Sequence, residues 1–260
     1  MKAHAKINLA LVVGPRRLDG KHEVATVLQR IELADEISLE PAHGLTVDGF
    51  DEDTLVDAAL SALAEAAGIE PGWRVEIDKR IPVAAGLGGG SSDAAVALRL
   101  ANKTLAEPLS ADRLHEIASG LGADLPFFLE EGPQLGTGAG TQLSALDLPR
   151  DYAVLLVVPT GATKDSTAAV YEAFAGEDGF DQRRASLLAA LEARDLAALP
   201  GNDLASSPLA LELRAAGAFR ADVSGAGPAV YGLFEAPERA VAARELMAAH
   251  GATWLTQPAW

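Results

Sequence analysis

Residues 82–93 read PVAAGLGGGSSD, with glycines at 86, 88, 89 and 90, and an alanine-rich run to Lys103 follows. Glycine reaches positive φ freely and lets backbone approach a ligand closely. The alanine-rich run reads as a helix, with Ser91 or Ser92 as its cap. Unpaired N–H groups and the positive dipole end make such a helix start a seat for an anion. The two serine hydroxyls add donors or a ligand for Mg²⁺. Pro82, Val83, Ala84, Ala85, Gly86, Leu87, Gly88, Gly89, Gly90, Ser91 and Ser92 are therefore candidates to hold a polyphosphate. The plainer reading is a tight turn, but four glycines in five residues followed by Ser-Ser exceed what a turn needs. GxxxxGK[ST] occurs nowhere in the chain. Gly86 and Gly88 begin a GxGxxG, but position 91 is serine, so the dinucleotide fingerprint is half complete. Glu107, at about the distance where that fingerprint wants an acid, keeps the dinucleotide alternative open.

Upstream of the loop, residues 3–13 read as a buried strand, 14–23 as a polar loop and 24–40 as a strand with alternation. Residues 45–48 and 73–78 are short strands. Between them a helix can be capped by Asp53 or Thr54, with an apolar face of Leu55, Val56, Ala59, Leu60 and Leu63, and stops at Gly68. Downstream, a helix is expected from Ser110 to about Ser119, and glycine-punctuated strands over 126–144. A linker then leads to a fresh buried strand, which sets a soft boundary near residue 150 between an N-terminal domain, residues 1–150, and a C-terminal domain, residues 151–260. The C-terminal domain shows helical stretches around 164–175, 181–198 and 236–250, and strands near 153–158, 229–234 and 253–256. Strands and helices mixed without strict alternation imply an α+β fold, not a doubly wound sheet.

Composition bounds the chemistry. The chain has 260 residues, 49% of them apolar and only 5% aromatic, so its core is built mainly from Ala, Leu and Val. Twenty-one basic residues against 37 acidic leave a net charge of −16. That surface repels phosphate backbones and anionic lipid, so neither nucleic acid nor a membrane is an expected partner. There is no cysteine, which removes disulfides, thiolate nucleophiles and Cys-based metal sites. The five histidines lie far apart and no HExxH occurs, so the metal ligands stay unassigned. Ile7–Val13 follows Lys2 and Lys6 as a signal segment would. Asn8 within it and Gly14-Pro15-Arg16-Arg17 after it make it read as a strand of a cytoplasmic protein.

Several separated stretches resemble one superfamily. PxxxGLGGGSSDAA is similar to the second motif of the GHMP small-molecule kinases, which include galactokinase, homoserine kinase and mevalonate kinase. Ala5-Lys6-Ile7-Asn8-Leu9, Arg17-Leu18-Asp19-Gly20-Lys21-His22-Glu23, Leu121-Gly122-Ala123-Asp124-Leu125-Pro126-Phe127-Phe128 and Ser224-Gly225-Ala226-Gly227-Pro228 resemble its further motifs, in order. Within the superfamily they are most similar to the branch acting on a cytidine diphosphate-linked methylerythritol. The resemblance implies a two-domain fold, its N-terminal domain like domain 2 of ribosomal protein S5 and its C-terminal domain ferredoxin-like. It also implies ATP-dependent phosphorylation of the substrate's C2 hydroxyl in isoprenoid precursor synthesis. Other GHMP kinases, and a nucleotide-binding protein without catalysis, are the alternatives.

Site residues follow. Asp124 is implied as general base, since an alcohol is a poor nucleophile until a carboxylate takes its proton; its plainer reading is a turn or capping aspartate. Lys6 sits among apolar residues on a strand, where a charge needs a partner, and Asp124 could be that partner. The resemblance makes Lys6 the catalytic lysine; the alternative is an edge lysine reaching water. Asn8, two residues on, faces the same side and is a substrate contact or a buried asparagine satisfied by backbone. His22, read in the polar loop, is implied to hydrogen-bond the cytosine, and Tyr171 to stack on it. Without the resemblance, His22 reads as a surface residue and Tyr171 as core. Lys21 departs from the family, which usually has a stacking tyrosine there. Gly225 and Gly227 would let a second loop approach the nucleotide. Thr54 stands where relatives often carry asparagine. Mg²⁺ is implied because phosphoryl transfer needs charge neutralisation.

Overall fold

The computed structural model describes residues 1–50, 54–162, 166–175 and 179–260. Asp53, one of the two candidate helix caps, and the start of the helix expected over 164–175 lie outside the described residues.

The chain opens with two long strands, β1 (Lys2–Arg16) and β2 (His22–Pro41), which pair with each other. The loop expected over 14–23 shrinks to a turn at 17–21, because cross-strand pairing overrides the weak strand propensity of Gly14 and Pro15. β3 (Thr46–Asp48), α1 (Thr54–Ala67) and β4 (Trp73–Asp78) follow. α1 buries Val56, Ala59, Leu60 and Leu63 at helical spacing and ends where Gly68 takes φ 67°. Next come α2 (Gly89–Asn102), α3 (Ala111–Leu121) and α4 (Leu125–Leu129). Ser110 caps the start of α3, its hydroxyl accepting from the Arg113 N–H. α4 occupies the start of the segment read as strands. Its apolar run LPFFL buries four successive residues, which alternation cannot do, and Pro126 is pre-set for a first helical turn. The strands β5 (Gln134–Gly138) and β6 (Gln142–Ala145) complete that segment.

The rest comprises β7 (Ala153–Pro159), α5 (Thr167–Glu172), α6 (Phe180–Glu192), α7 (Pro208–Ala215), β8 (Arg220–Val223), β9 (Val230–Phe234), α8 (Pro237–Met247) and β10 (Gly251–Thr256). α6 is shorter than the stretch read over 181–198, since Arg194 turns to φ 54°. α7 and β8 are too short to show a period in the sequence.

The described residues divide into two compact units. The first comprises Met1–Ala5, Leu33–Ile81 and Gly88–Glu131; the second comprises Lys6–Glu32, Pro82–Leu87 and Gly132–Trp260. In the first, the later half of β2 pairs antiparallel with β4, and β3 joins β4 in parallel. Helices α1 and α2 pack together, and α2 is buried from Ser92 through Leu98. Alanines at 94, 95, 97 and 101 let its neighbours approach closely.

In the second unit, the earlier half of β2 pairs with β5, and β5 with β6. A separate four-stranded antiparallel sheet has the order β10-β7-β9-β8. Numbered within itself that is 4-1-3-2, with helices after the first strand and after the third, as in a ferredoxin-like arrangement. Leu155, Val157, Leu213, Phe234 and Met247 bury α7 and α8 on it. Arg150 and its linker neighbours belong to this unit.

Candidate active site

In the second unit, two glycine loops lie against each other. The first is Pro82–Leu87, where Gly86 takes φ 83° and Ala84, without glycine's freedom, φ 55°. The second is Ser224-Gly225-Ala226-Gly227-Pro228, which turns β8 into β9. The Ala229 N–H donates to the Ala85 carbonyl at 2.9 Å, and the Ser224 hydroxyl to the Gly86 carbonyl at 2.9 Å. A Cβ on Gly86 would stand 2.3 Å from the Ser224 carbonyl oxygen, so only glycine fits. Asn202 holds the second loop from behind, its amide donating to the carbonyls of Val223 (3.0 Å) and Gly225 (2.6 Å).

β1 brings Lys6 and Asn8 to these loops. The Lys6 N–H donates to the Leu87 carbonyl at 2.9 Å, and the Asn8 N–H to the Ser224 hydroxyl at 3.3 Å. Both side chains point to one side of the strand, and Lys6 Nζ donates to Asn8 Oδ1 at 2.6 Å. Asn8 Nδ2 donates to Thr26 Oγ1 at 2.8 Å, and Thr26 in turn to the Ala10 carbonyl at 2.8 Å. Lys6 is only 3% exposed, which removes the reading of an edge lysine reaching water. Asn8 is satisfied by side chains and not by backbone carbonyls. Gly225 sits close to this pair: a Cβ there would lie 3.3 Å from Asn8 Oδ1 and 3.5 Å from Lys6 Nζ. Sequence reasoning does not single out Ser224, Thr26 or Asn202. Only Ser224 carries a signal, as the first residue of a quoted motif.

His22 is the first residue of β2, not part of a loop, and it is buried. Pairing with β1 draws it inward, and its Nδ1 lies 2.8 Å from the Gly14 carbonyl. A carbonyl only accepts, so Nδ1 carries the hydrogen, and in the neutral ring Nε2 is then an acceptor. Nε2 is buried with no hydrogen-bond partner among the described residues. Tyr171 and Phe174 stand beside the ring at 6.1 and 5.8 Å between centroids. Both pack half-buried on Leu11, Val13 and Val24. Sequence reasoning misses Phe174, which lies just past the end of α5 at Glu172. Lys21 is exposed, outside this aromatic group.

In the first unit, the expected serine cap of α2 is replaced by Gly88. Its φ of 71° suits glycine and not serine, so the helix starts at Gly89 with no side-chain cap. Ser91 and Ser92 lie inside the first turns, Ser91 half-buried and Ser92 buried. Asp124 occupies the cap position of α4 but makes no capping bond, and it is half-buried. The far end of that helix is fastened twice. Arg99 of α2 donates to the Leu129 carbonyl at 2.6 Å, and His115 of α3 meets Glu130 at 2.5 Å.

Thus Lys6, Asn8 and the loop to Leu87 come together in the second unit, as do His22 and Tyr171. Gly88–Ser92 and Asp124 belong to the first. Among the described residues no helix is long and apolar enough to cross a membrane.

Residues 54–132 match the family model of the GHMP kinases N-terminal domain. The chain is 39% identical to a 4-diphosphocytidyl-2-C-methyl-D-erythritol kinase of Geobacter sulfurreducens, covering 96% of this chain and 94% of the relative. It is 37% identical to one of Chlorobium phaeobacteroides, covering 99% and 96%. A crystal structure of 4-(cytidine 5'-diphospho)-2C-methyl-D-erythritol kinase superposes with TM-score 0.83 at 35% identity, over 100% of this chain and 99% of that one. A mevalonate kinase structure at 13% identity and TM-score 0.74 shares the fold. The chain belongs to the GHMP kinase family and is a small-molecule kinase. Both relatives, matched across almost the whole length of this chain, carry one name, that of the kinase of 4-diphosphocytidyl-2-C-methyl-D-erythritol.

Proposed function

We propose that this kinase transfers the γ-phosphoryl group of ATP to the C2 hydroxyl of 4-diphosphocytidyl-2-C-methyl-D-erythritol, in isoprenoid precursor synthesis in the cytoplasm. The observation that carries the acceptor is His22. Its buried Nε2 acceptor has no partner among the described residues and is flanked by Tyr171 and Phe174. A flat base with an exocyclic amino donor, such as cytosine, suits an acceptor nitrogen on a ring packed with aromatic side chains. Phe174 supplies a second aromatic where Lys21 departs from the family.

Residues 82–92 receive the triphosphate through backbone N–H groups. Asp124 takes the hydroxyl proton as the acceptor oxygen bonds to the γ-phosphorus; the bond to the β,γ-bridging oxygen breaks, and ADP leaves with that electron pair. Lys6, held by Asn8, stabilises the charge that develops on the transferring group. Among the described residues no group of three or more His, Asp or Glu side chains could hold a metal ion. Mg²⁺ would supply charge neutralisation to the nucleotide's phosphates, and the Ser91 or Ser92 hydroxyl could contact it. In this reading the N-terminal domain, residues 1–150, carries the phosphate loop and the catalytic pair. The C-terminal domain, residues 151–260, supplies Tyr171 and the second glycine loop.

The test is ADP release by the purified protein with ATP and Mg²⁺ against 4-diphosphocytidyl-methylerythritol, methylerythritol phosphate, homoserine and mevalonate. Release with the cytidyl alcohol alone is the expected result; release with another alcohol overturns the substrate. Asp124→Ala should lower kcat by at least about 100-fold while ATP still binds. Normal turnover in that variant would remove Asp124 as the base.

A further inference from the structure

We infer that Lys79, Asp35 and Asp93 form a buried ionic clamp that holds the two ends of the glycine-rich segment in register, which makes them positioning residues for the nucleotide's phosphates. The inference rests on the reading of residues 82–92 as the phosphate site. All three residues belong to the first unit.

Lys79 Nζ lies 2.7 Å from Asp35 Oδ2 and 2.7 Å from Asp93 Oδ2, and both carboxylates are fully buried. Burial pulls the lysine's pKa down, but the bonds to Asp35 and Asp93 outweigh it and the pKa is raised, so the ammonium stays charged. The other oxygen of Asp35 accepts from the N–H groups of Arg80 and Ile81. One end of the clamp is thus the backbone that leads into the glycine segment. The other end is Asp93, in the second turn of α2, where the segment finishes. Gly89 shows how close the fit is. A Cβ there would stand 3.4 Å from Lys79 Nζ and 3.2 Å from Ile81 Cγ2, so the missing side chain leaves room for the ammonium under the helix start.

Asp93 places a buried carboxylate in the early turns of a helix proposed to bind an anion. Through-space electrostatics alone would disfavour that charge. Such a group is retained next to phosphate if its gain is geometric. A flexible glycine loop must otherwise be ordered at the cost of binding energy, and fixing its ends removes much of that cost. The two accounts predict opposite signs. If Asp93 acts only through its charge, removing it tightens ATP binding. If it positions, removing it weakens ATP binding.

The experiment measures ATP affinity by calorimetry, and KM for ATP, KM for the alcohol and kcat, in the full chain. Asp93→Ala should weaken ATP at least about tenfold, the scale of a lost charged hydrogen bond, with KM for the alcohol little changed. Asp93→Asn keeps an acceptor for Lys79 and should recover to within about threefold of wild type. Asp35→Asn, which keeps an acceptor for the Arg80 and Ile81 N–H groups but turns a donor toward Lys79, should weaken ATP in the same direction. It carries the test if Asp93→Ala does not fold. Unchanged or tighter ATP binding in either folded variant overturns the clamp and leaves the nucleotide reading intact. Failure of the wild-type chain to bind ATP overturns both.

Discussion

Gly86 has no room for a side chain, and the reason differs from the one its sequence suggests. The motif speaks of phosphate; the structure adds that the carbonyls of Ser224 and Gly227 occupy the place of a Cβ. Gly86→Ala should therefore cost at least about 2 kcal/mol, from strained φ plus displaced backbone. Urea denaturation of the purified variant measures it, and a cost under about 0.5 kcal/mol would contradict the packing. Lys6 is legible in the sequence as an oddity, a charge within an apolar strand. Its acceptor Asn8 is legible only as a neighbour on the same face. Phe174 carries no signal of its own, because an aromatic at helical spacing is commonly core. Phe174→Ala should raise KM for the cytidyl alcohol by about tenfold with kcat largely kept, the pattern of lost uniform binding.

At the scale of elements, α4 is a five-residue helix, too short to be stable alone. Its order comes from outside, through Arg99, His115 and the burial of Leu125, Pro126, Phe127 and Phe128. Arg99→Ala should cost about 1–2 kcal/mol, the value of a partly exposed charged hydrogen bond. It should also lower kcat more than it changes KM, since Asp124 leads the same helix. Thermal melts and steady-state kinetics on one preparation check both. The sequence reads this helix as strand because a short apolar run has no period to decide between the two. The long, strongly patterned elements β1, β2, α1 and α2 are legible. The start of α2 is not, because serine is the commoner cap, while a left-handed backbone at Gly88 overrides it.

Across the whole molecule, Tyr231 and Tyr152 report how firmly the second unit closes. Burial raises both phenol pKa values, that of Tyr231 to about 12. Tyr231 donates to the Leu9 carbonyl at 3.1 Å and accepts from Arg220 at 3.2 Å, joining β9 to β1. A pKa raised on folding gives stability that is complete below the unfolded value near 10 and is lost as pH rises toward about 12. Ultraviolet titration should therefore find these two of the three tyrosines un-ionised in the folded protein at about pH 11, and all three ionised there in denaturant. Ionisation of all three near 10 in the folded state would contradict that burial.

Residue chemistry and local period are written in the chain itself. The glycine segment, the odd lysine, the helix faces and the α+β class need only short windows, because φ preferences and amphipathic spacing are local properties. Convergence is not local. Asn8 meets Ser224 across 216 residues, Lys79 joins Asp35 to Asp93, and His22 packs against Tyr171 and Phe174. Such contacts exist only once strands pair and sheets bury their faces. No window of sequence contains both partners, and the energy that selects them is packing over the whole fold.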